Sequence, residues 1–199
     1  YYVKYQKAKN SVAYVENEIK KAEEELHYFN SLLQQIESAA PKDLQEIREE
    51  LIEEGYLRNR NQRNNKKNKP TKPILERYVA TDGTEILVGK NNKQNDILTL
   101  KTAKKDDLWF HAQNMPGSHV IVRTENNQVP ESTLLEAALL AAYYSKGKNS
   151  NNVPVDYTER RNVKKPKDAK AGMVIYENYR TIFVTPDKEK IDNIKRIEE

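Results

Sequence analysis

One pattern constrains this chain more than any other. Tyr1, Tyr5, Ala8, Val12, Val15, Ile19, Ala22, Leu26, Phe29, Leu33 and Ile36 follow one another at spacings of four and three without a break. That is the a/d seam of a coiled coil, sustained over about five heptads. A single helix cannot bury such a seam, so its partner is a further stretch of sequence or a second copy, and self-association through the coil is expected. The aromatic residues on the stripe read as packing residues. Pro41 then opens a shorter helix where its missing N–H costs nothing. Leu44, Ile47 and Leu51 form the apolar edge of that helix, and Gly55 is its expected stop.

Charge divides the remainder. The chain has 199 residues and a net charge of +4, and the charges lie in blocks. Residues 1–57 carry 7 basic and 12 acidic side chains, residues 58–73 carry 7 basic and none acidic, and residues 74–199 carry 20 and 18. The middle block, RNRNQRNNKKNKPTK plus Pro73, lacks apolar periodicity and reads as a mobile basic linker able to reach phosphates. Three parts are therefore expected: a coiled-coil segment over 1–57, a basic linker over 58–73 and a mixed domain over 74–199. No cysteine is present, which excludes a disulfide framework and a thiolate zinc site and fits the cytosol. No apolar run approaches the roughly 18 residues of a membrane span, so no membrane partner is expected. The chain opens on Tyr1 rather than Met, which predicts a piece of a longer protein.

From Ile74 the pattern is α+β, with a mostly antiparallel sheet and helices on one face. Arg77–Ala80 and Thr84–Val88 flank Asp82-Gly83, a strong hairpin signal. Asn91 or Asn92 caps a helix running to about Ala103. Strands follow over Asp107–Ala112 and Ser118–Arg123, joined by a Pro116-Gly117 turn. A helix runs from Pro130 to about Lys146, and a strand covers Val153–Thr158. Val174–Tyr176 and Thr181–Val184 suggest a second hairpin, and a last helix runs from Pro186 or Asp187 toward Ile197.

The stretch DLWFHAQNMPGSHVIVR is the most informative for chemistry. Alternation directs Leu108, Phe110, Ala112, Val120 and Val122 to a core. Asp107, Trp109, His111, His119, Ile121 and Arg123 then share the opposite face, which holds the only Trp and two of the three His. An open sheet face of this kind suits nucleic acid, because rings stack bases and cations hold phosphates. Pro116, Gly117 and Ser118 could add backbone N–H groups for a phosphate oxygen. Burial of Trp109 beneath a helix or the linker, with Asp107 merely orienting a His, stays open as the alternative.

Further cationic candidates are Lys146 and Lys148 at the end of the Ala-rich helix, and Arg160, Arg161, Lys164, Lys165 and Lys167 in a second basic run. Two sharper readings are less favoured. A metal on Asp107, His111 and His119 lacks the His-x-x-x-His spacing and a further carboxylate. A metal-free ribonuclease using the His pair as acid and base is allowed by spacing alone. Neither GxGxxG, GxSxG nor HExxH occurs. No cofactor, metal or catalytic residue is expected.

At these residues the chain resembles the C-terminal half of NFACT-family proteins. KYQKAKNSV (Lys4–Val12), EEELHYFNSLLQQIESA (Glu23–Ala39) and DLQEIREELIEEGYLR (Asp43–Arg58) carry the likeness in the helices. GKNNKQNDILTLK (Gly89–Lys101), the DLWFH stretch, AAYYSKGKNSNNVPVDYT (Ala141–Thr158) and VKKPKDAKAGMVIY (Val163–Tyr176) carry it beyond. The resemblance implies that 1–57 is the returning part of a coiled coil and that 74–199 is the RNA-contacting NFACT-R domain. It implies a role in ribosome-associated quality control, with tRNA and the 50S subunit (rRNA) as partners. In that role the protein recruits alanyl-tRNA, and the ribosome adds the alanine tail to a stalled chain. The family's N-terminal domain, with its Asp-Arg tRNA motif, is absent from this sequence. An older family name implies fibronectin as an alternative partner, at the cell surface rather than in the cytoplasm.

Overall fold

The computed structural model describes residues 1–58, 74–125 and 128–197. Apart from Arg58, the basic linker at 58–73 lies outside the described residues. Helix α1 spans Tyr2–Ser38 and α2 spans Pro41–Glu53. The break between them has a local cause. Pro41 crowds the residue before it out of the helical region, and Ala40 is extended at φ −74°, ψ 163°. Pro41 then occupies the first turn of α2, where the Asp43 carboxylate accepts a hydrogen bond from Ala40 N at 3.1 Å. Gly55 follows α2 with φ +83°, as expected of its stop.

The seam is open along α1. Val12, Val15, Ile19, Leu26, Leu33 and Ile36 are all exposed. A different face of the same helix is buried: Tyr28 and Leu32 pack with Ile47 of α2. The last three turns of α1 therefore carry two apolar faces, one closed by the chain itself and one facing solvent.

Beyond the helices lies a seven-stranded sheet in the order β8-β5-β3-β4-β2-β1-β9, antiparallel at every pairing. Its strands are β1 (Glu76–Val79), β2 (Glu85–Val88), β3 (Leu108–Ala112), β4 (Val120–Val122), β5 (Val153–Glu159), β8 (Arg180–Val184) and β9 (Lys195–Ile197). The β1–β2 hairpin turns at Gly83, φ +91°, a conformation only glycine adopts cheaply. Helices α4 (Glu131–Tyr143) and α5 (Lys188–Asp192) cover one face, over Ile86, Val88, Phe110, Val120 and Val155. Burial of such side chains contributes about 1.5–3 kcal/mol each.

Helices cover both faces, not one. Helix α3 (Asn92–Asp96) continues into a π-helical turn, Ile97–Thr102, whose Leu98 packs with Leu87, Trp109 and Ile121 on the opposite side. Asn91 is the cap, its side chain accepting from Gln94 N at 2.8 Å. The expected hairpin between 174–176 and 181–184 does not form. Instead β7 (Ile175–Tyr176) pairs with β6 (Val163–Lys164) in a separate two-stranded ribbon, and β8 pairs with β5. Val174 and Tyr176 have their apolar surface to bury over Trp109, which draws that segment across the sheet. The expected last helix is short, because the chain returns as β9 to complete the edge beside β1.

The helices are tied to the sheet domain by a buried polar knot. Asn92 Oδ1 accepts from Gln35 Nε2 at 2.7 Å, and Asn92 Nδ2 donates to Glu50 Oε1 at 2.9 Å. Tyr28 Oη donates to the same Glu50 oxygen at 2.9 Å. Lys90 bridges Asp43 of α2 and Glu76 of β1 at 3.2 and 3.1 Å. Low-dielectric surroundings strengthen such a network and make it specific to one geometry. Among the described residues, no helix is long and apolar enough to cross a membrane.

Candidate functional site

The alternation expected along β3 and β4 is observed, but the face it defines is a covered layer, not a platform. Trp109 is fully buried, with Ile121 beside it in the register. Leu98 lies over it from the π-helical turn, and Val163, Val174 and Tyr176 lie over it from the ribbon. The open stacking surface is thereby overturned, and burial beneath a helix is the arrangement found.

Asp107 and Arg123 do form a pair, at 2.8 Å. Asp107 also accepts from Lys104 N and Thr124 N, and Arg123 donates to Thr102 O, so both groups lock the start of β3. They are not presented with the imidazoles. The Pro116-Gly117-Ser118 turn is likewise engaged internally. Ser118 N donates to Tyr144 O and Lys146 N to Pro116 O. A Cβ on Gly117 would meet Ser145 Cβ at 2.9 Å, so glycine is needed there for close approach rather than for an anion.

What the sheet does assemble is a ring cluster. His111 stacks beside Trp109 at 5.7 Å between centroids, and His119 meets both rings edge-on at 5.2 and 5.4 Å. His119 Nδ1 lies 2.7 Å from Thr99 Oγ1, and the His119 backbone N–H donates to Asn95 Oδ1 at 3.0 Å. A cavity of about 220 Å³ opens over these rings. Its sides come from Asn92 and Asn95 of α3, from Asn114 to Gly117, and from Gly172 to Tyr176 apart from Ile175. His27 and Ser31 of α1 complete the mouth, so all three histidines of the chain meet at one cavity.

Electrostatically the cavity is neutral. Burial pushes His111 down from 6.5 to about 4, helped by His27 and opposed by the backbone at Gly117 and by Asp156. Burial also holds His119 well below its ordinary value. Neither imidazole is a cation at neutral pH, so neither supplies a charge to phosphate. No Lys, Arg, Asp or Glu is among the described lining residues. No group of three or more His, Asp or Glu side chains is placed to hold a metal ion among the described residues. Among the described lining residues, the Trp109 Nε1–H is buried without a hydrogen-bond partner. Such a donor costs about 1–3 kcal/mol when unmatched.

The basic candidates divide. Arg160 Nε donates to Thr99 O at 2.6 Å, and Arg161 is paired with Asp106 and Glu159. Lys164 is paired with Glu177 and Lys165 with Asp96. Lys146, Lys148 and Lys167 are exposed, and none is in a salt bridge with a described carboxylate. Lys146 and Lys148 follow α4 rather than end it, and Lys148 Nζ lies 4.3 Å from the Tyr143 ring centre.

Sequence reasoning missed four contributors. Asp156 lies opposite His111 in the β3–β5 register and accepts from Tyr176 Oη at 2.7 Å and Thr181 Oγ1 at 2.6 Å. Its signal was an acid in the middle of the strand VPVDYTE, flanked by Val155 and Tyr157. Gly172, at φ +77°, would place a Cβ 2.6 Å from Asn92 Oδ1, which explains a glycine there. Asn95 and His27 carried no signal, since their role depends on packing between distant segments.

The family model for the NFACT protein RNA binding domain matches residues 75–178, and that for the NFACT N-terminal and middle domains matches residues 1–70. The Rqc2 homolog RqcH of Bacillus subtilis is 53% identical over 98% of this chain and 34% of its own length. The protein of the same name from Streptococcus suis is 46% identical over 98% of this chain and 35% of its own. Among solved structures, the C-terminal part of the fibronectin/fibrinogen-binding protein from Streptococcus suis superposes with a TM-score of 0.90 at 44% identity. It covers 98% of this chain and 78% of that one. The chain spans about a third of the length of these RqcH relatives.

Proposed function

The chain belongs to the NFACT family, and from that premise we propose that it is the RNA-binding part of a ribosome-associated quality-control factor. In this reading residues 74–199 contact tRNA or the rRNA of the large subunit, and the coiled coil positions that domain. The full-length protein recruits alanyl-tRNA to a stalled subunit, and the ribosome forms the peptide bonds of the alanine tail. This chain then has no catalytic step of its own and works in the cytoplasm on ribosomes.

One observation carries the reading: the match to the RNA binding domain covers residues 75–178, most of the sheet domain. Lys146, Lys148 and Lys167 support it, as exposed cations outside the salt bridges. The cations that meet phosphate are then on this rim and not on the buried Trp109 face. Mobility-shift titration of the chain with tRNA tests the proposal. Binding that weakens when these lysines become alanine is expected, with the labelled tRNA left uncut. Absence of any complex at low salt contradicts it.

A second reading has its own support in the name of the Streptococcus suis neighbour, a fibronectin/fibrinogen-binding protein. It makes this chain an adhesion module at the cell surface. Solid-phase fibronectin binding that survives high salt and that tRNA fails to displace favours it. Competition by tRNA favours RNA.

A further inference from the structure

We propose that the cavity over Trp109 receives a single unpaired nucleobase of the bound RNA. The inference rests on the RNA-binding reading and adds to it where one base goes. Four features of the molecule lead there.

The size is the first. At about 220 Å³ the cavity falls below the ~300–1,000 Å³ of pockets for larger organic ligands, which limits the occupant to one small ring system. The walls are the second. Trp109, His111, His119 and Tyr176 bring four ring systems together, with Tyr176 4.8 Å from Trp109 between centroids. His111 and Tyr176 keep part of their surface open, against the buried Trp109 and His119, and such rings hold a flat heterocycle by stacking and edge contact.

Charge is the third. A lining without Lys, Arg, Asp or Glu gives a phosphate nothing to pair with inside, so the group that enters is neutral. The fourth is the rim. Lys146 N donates to Pro116 O at 2.9 Å, which fixes an exposed lysine beside the mouth. Lys170, two residues before the lining Gly172, has its Nζ over the Tyr28 ring at 4.3 Å. Cations outside and a neutral aromatic interior match a nucleotide that keeps its phosphates in solvent and inserts its base.

Trp109 is the only tryptophan of the chain, so its emission reports the cavity directly. The experiment titrates the full chain with a single-stranded RNA oligomer, the same oligomer made abasic, adenosine, and inorganic phosphate. Anisotropy of a labelled oligomer measures binding in parallel. The base-bearing oligomer is expected to change Trp109 emission in step with binding, and the abasic one to bind roughly tenfold more weakly without that change. Adenosine produces the emission change at higher concentration, and phosphate does not. Ser31→Phe fills the cavity from α1 without touching the sheet core. It is expected to bring the base-bearing oligomer down to the abasic affinity, with the melting temperature confirming the fold. Equal binding of the two oligomers with unmoved Trp109 emission overturns the base pocket and leaves RNA binding standing. Failure of both oligomers to bind overturns the RNA reading and, with it, this inference.

Discussion

His111 sets the clearest prediction from a single residue. Its neutral form is the one the fold accepts, with a value near 4 against 6.5 in the unfolded chain. A depressed imidazole contributes stability that is whole above about pH 6.5 and declines as pH falls toward 4. At about 1.4 kcal/mol per pH unit, the loss between pH 7 and 4.5 is roughly 2 kcal/mol. Urea unfolding of the wild-type chain and of His111→Gln at both pH values isolates this share, because the carboxylates titrate in both proteins. The difference in stability between them is expected to shift in favour of the variant on acidification. A difference independent of pH contradicts the account. Trp109 is a residue of the interior, so Trp109→Ala is expected to destabilise the RNA-free chain by about 3–5 kcal/mol. Denaturant titration without ligand measures it.

At the level of elements, α1 divides into a face the chain buries and a seam it does not. Leu32→Ala is expected to cost about 2–5 kcal/mol, because Leu32 is sealed against Ile47 and Tyr28. Leu33→Ala, one residue on, is expected to change stability by less than about 0.5 kcal/mol at concentrations where the chain is monomeric. Thermal melts of the pair decide it, and equal losses contradict the division. Glu50 gives a second test at the knot between α1, α2 and α3. Burial raises its carboxyl above 4.5, against the hydrogen bonds from Asn92 and Tyr28. A raised carboxyl contributes stability in full below the unfolded value and loses it as pH rises through the folded one. Glu50→Gln is therefore expected to melt higher than wild type at pH 8, with the gap closing toward pH 4.5. The elements legible in the sequence were those with local causes: the seam, Pro41 at the start of α2, Asn91 as a cap, Asp82-Gly83 as a hairpin turn. The illegible ones depended on distant partners. Nothing near residues 174–184 says that β7 leaves β8 to cover Trp109, and nothing near Ile197 says that β1 lacks a neighbour.

For the whole molecule, alternation correctly divided the β3 and β4 side chains between two faces, but it could not say that both faces would be covered. A sheet with Trp109, Ile121 and Leu87 on its second side has too much apolar surface to leave in water. The hydrophobic residues that close it, Leu98, Val163 and Val174, lie in three separate segments. The cavity among them exists only after those segments meet. In the proposed reading, phosphate contact then falls to the lysines on the rim. Counterion release tests that directly: tRNA affinity measured against salt concentration gives the number of phosphates the chain neutralises. A steep linear fall of log affinity with log salt is expected, shallower by about one for each of Lys146→Ala, Lys148→Ala and Lys167→Ala. Affinity indifferent to salt, or a slope unchanged in all three variants, contradicts the assignment of this rim to RNA.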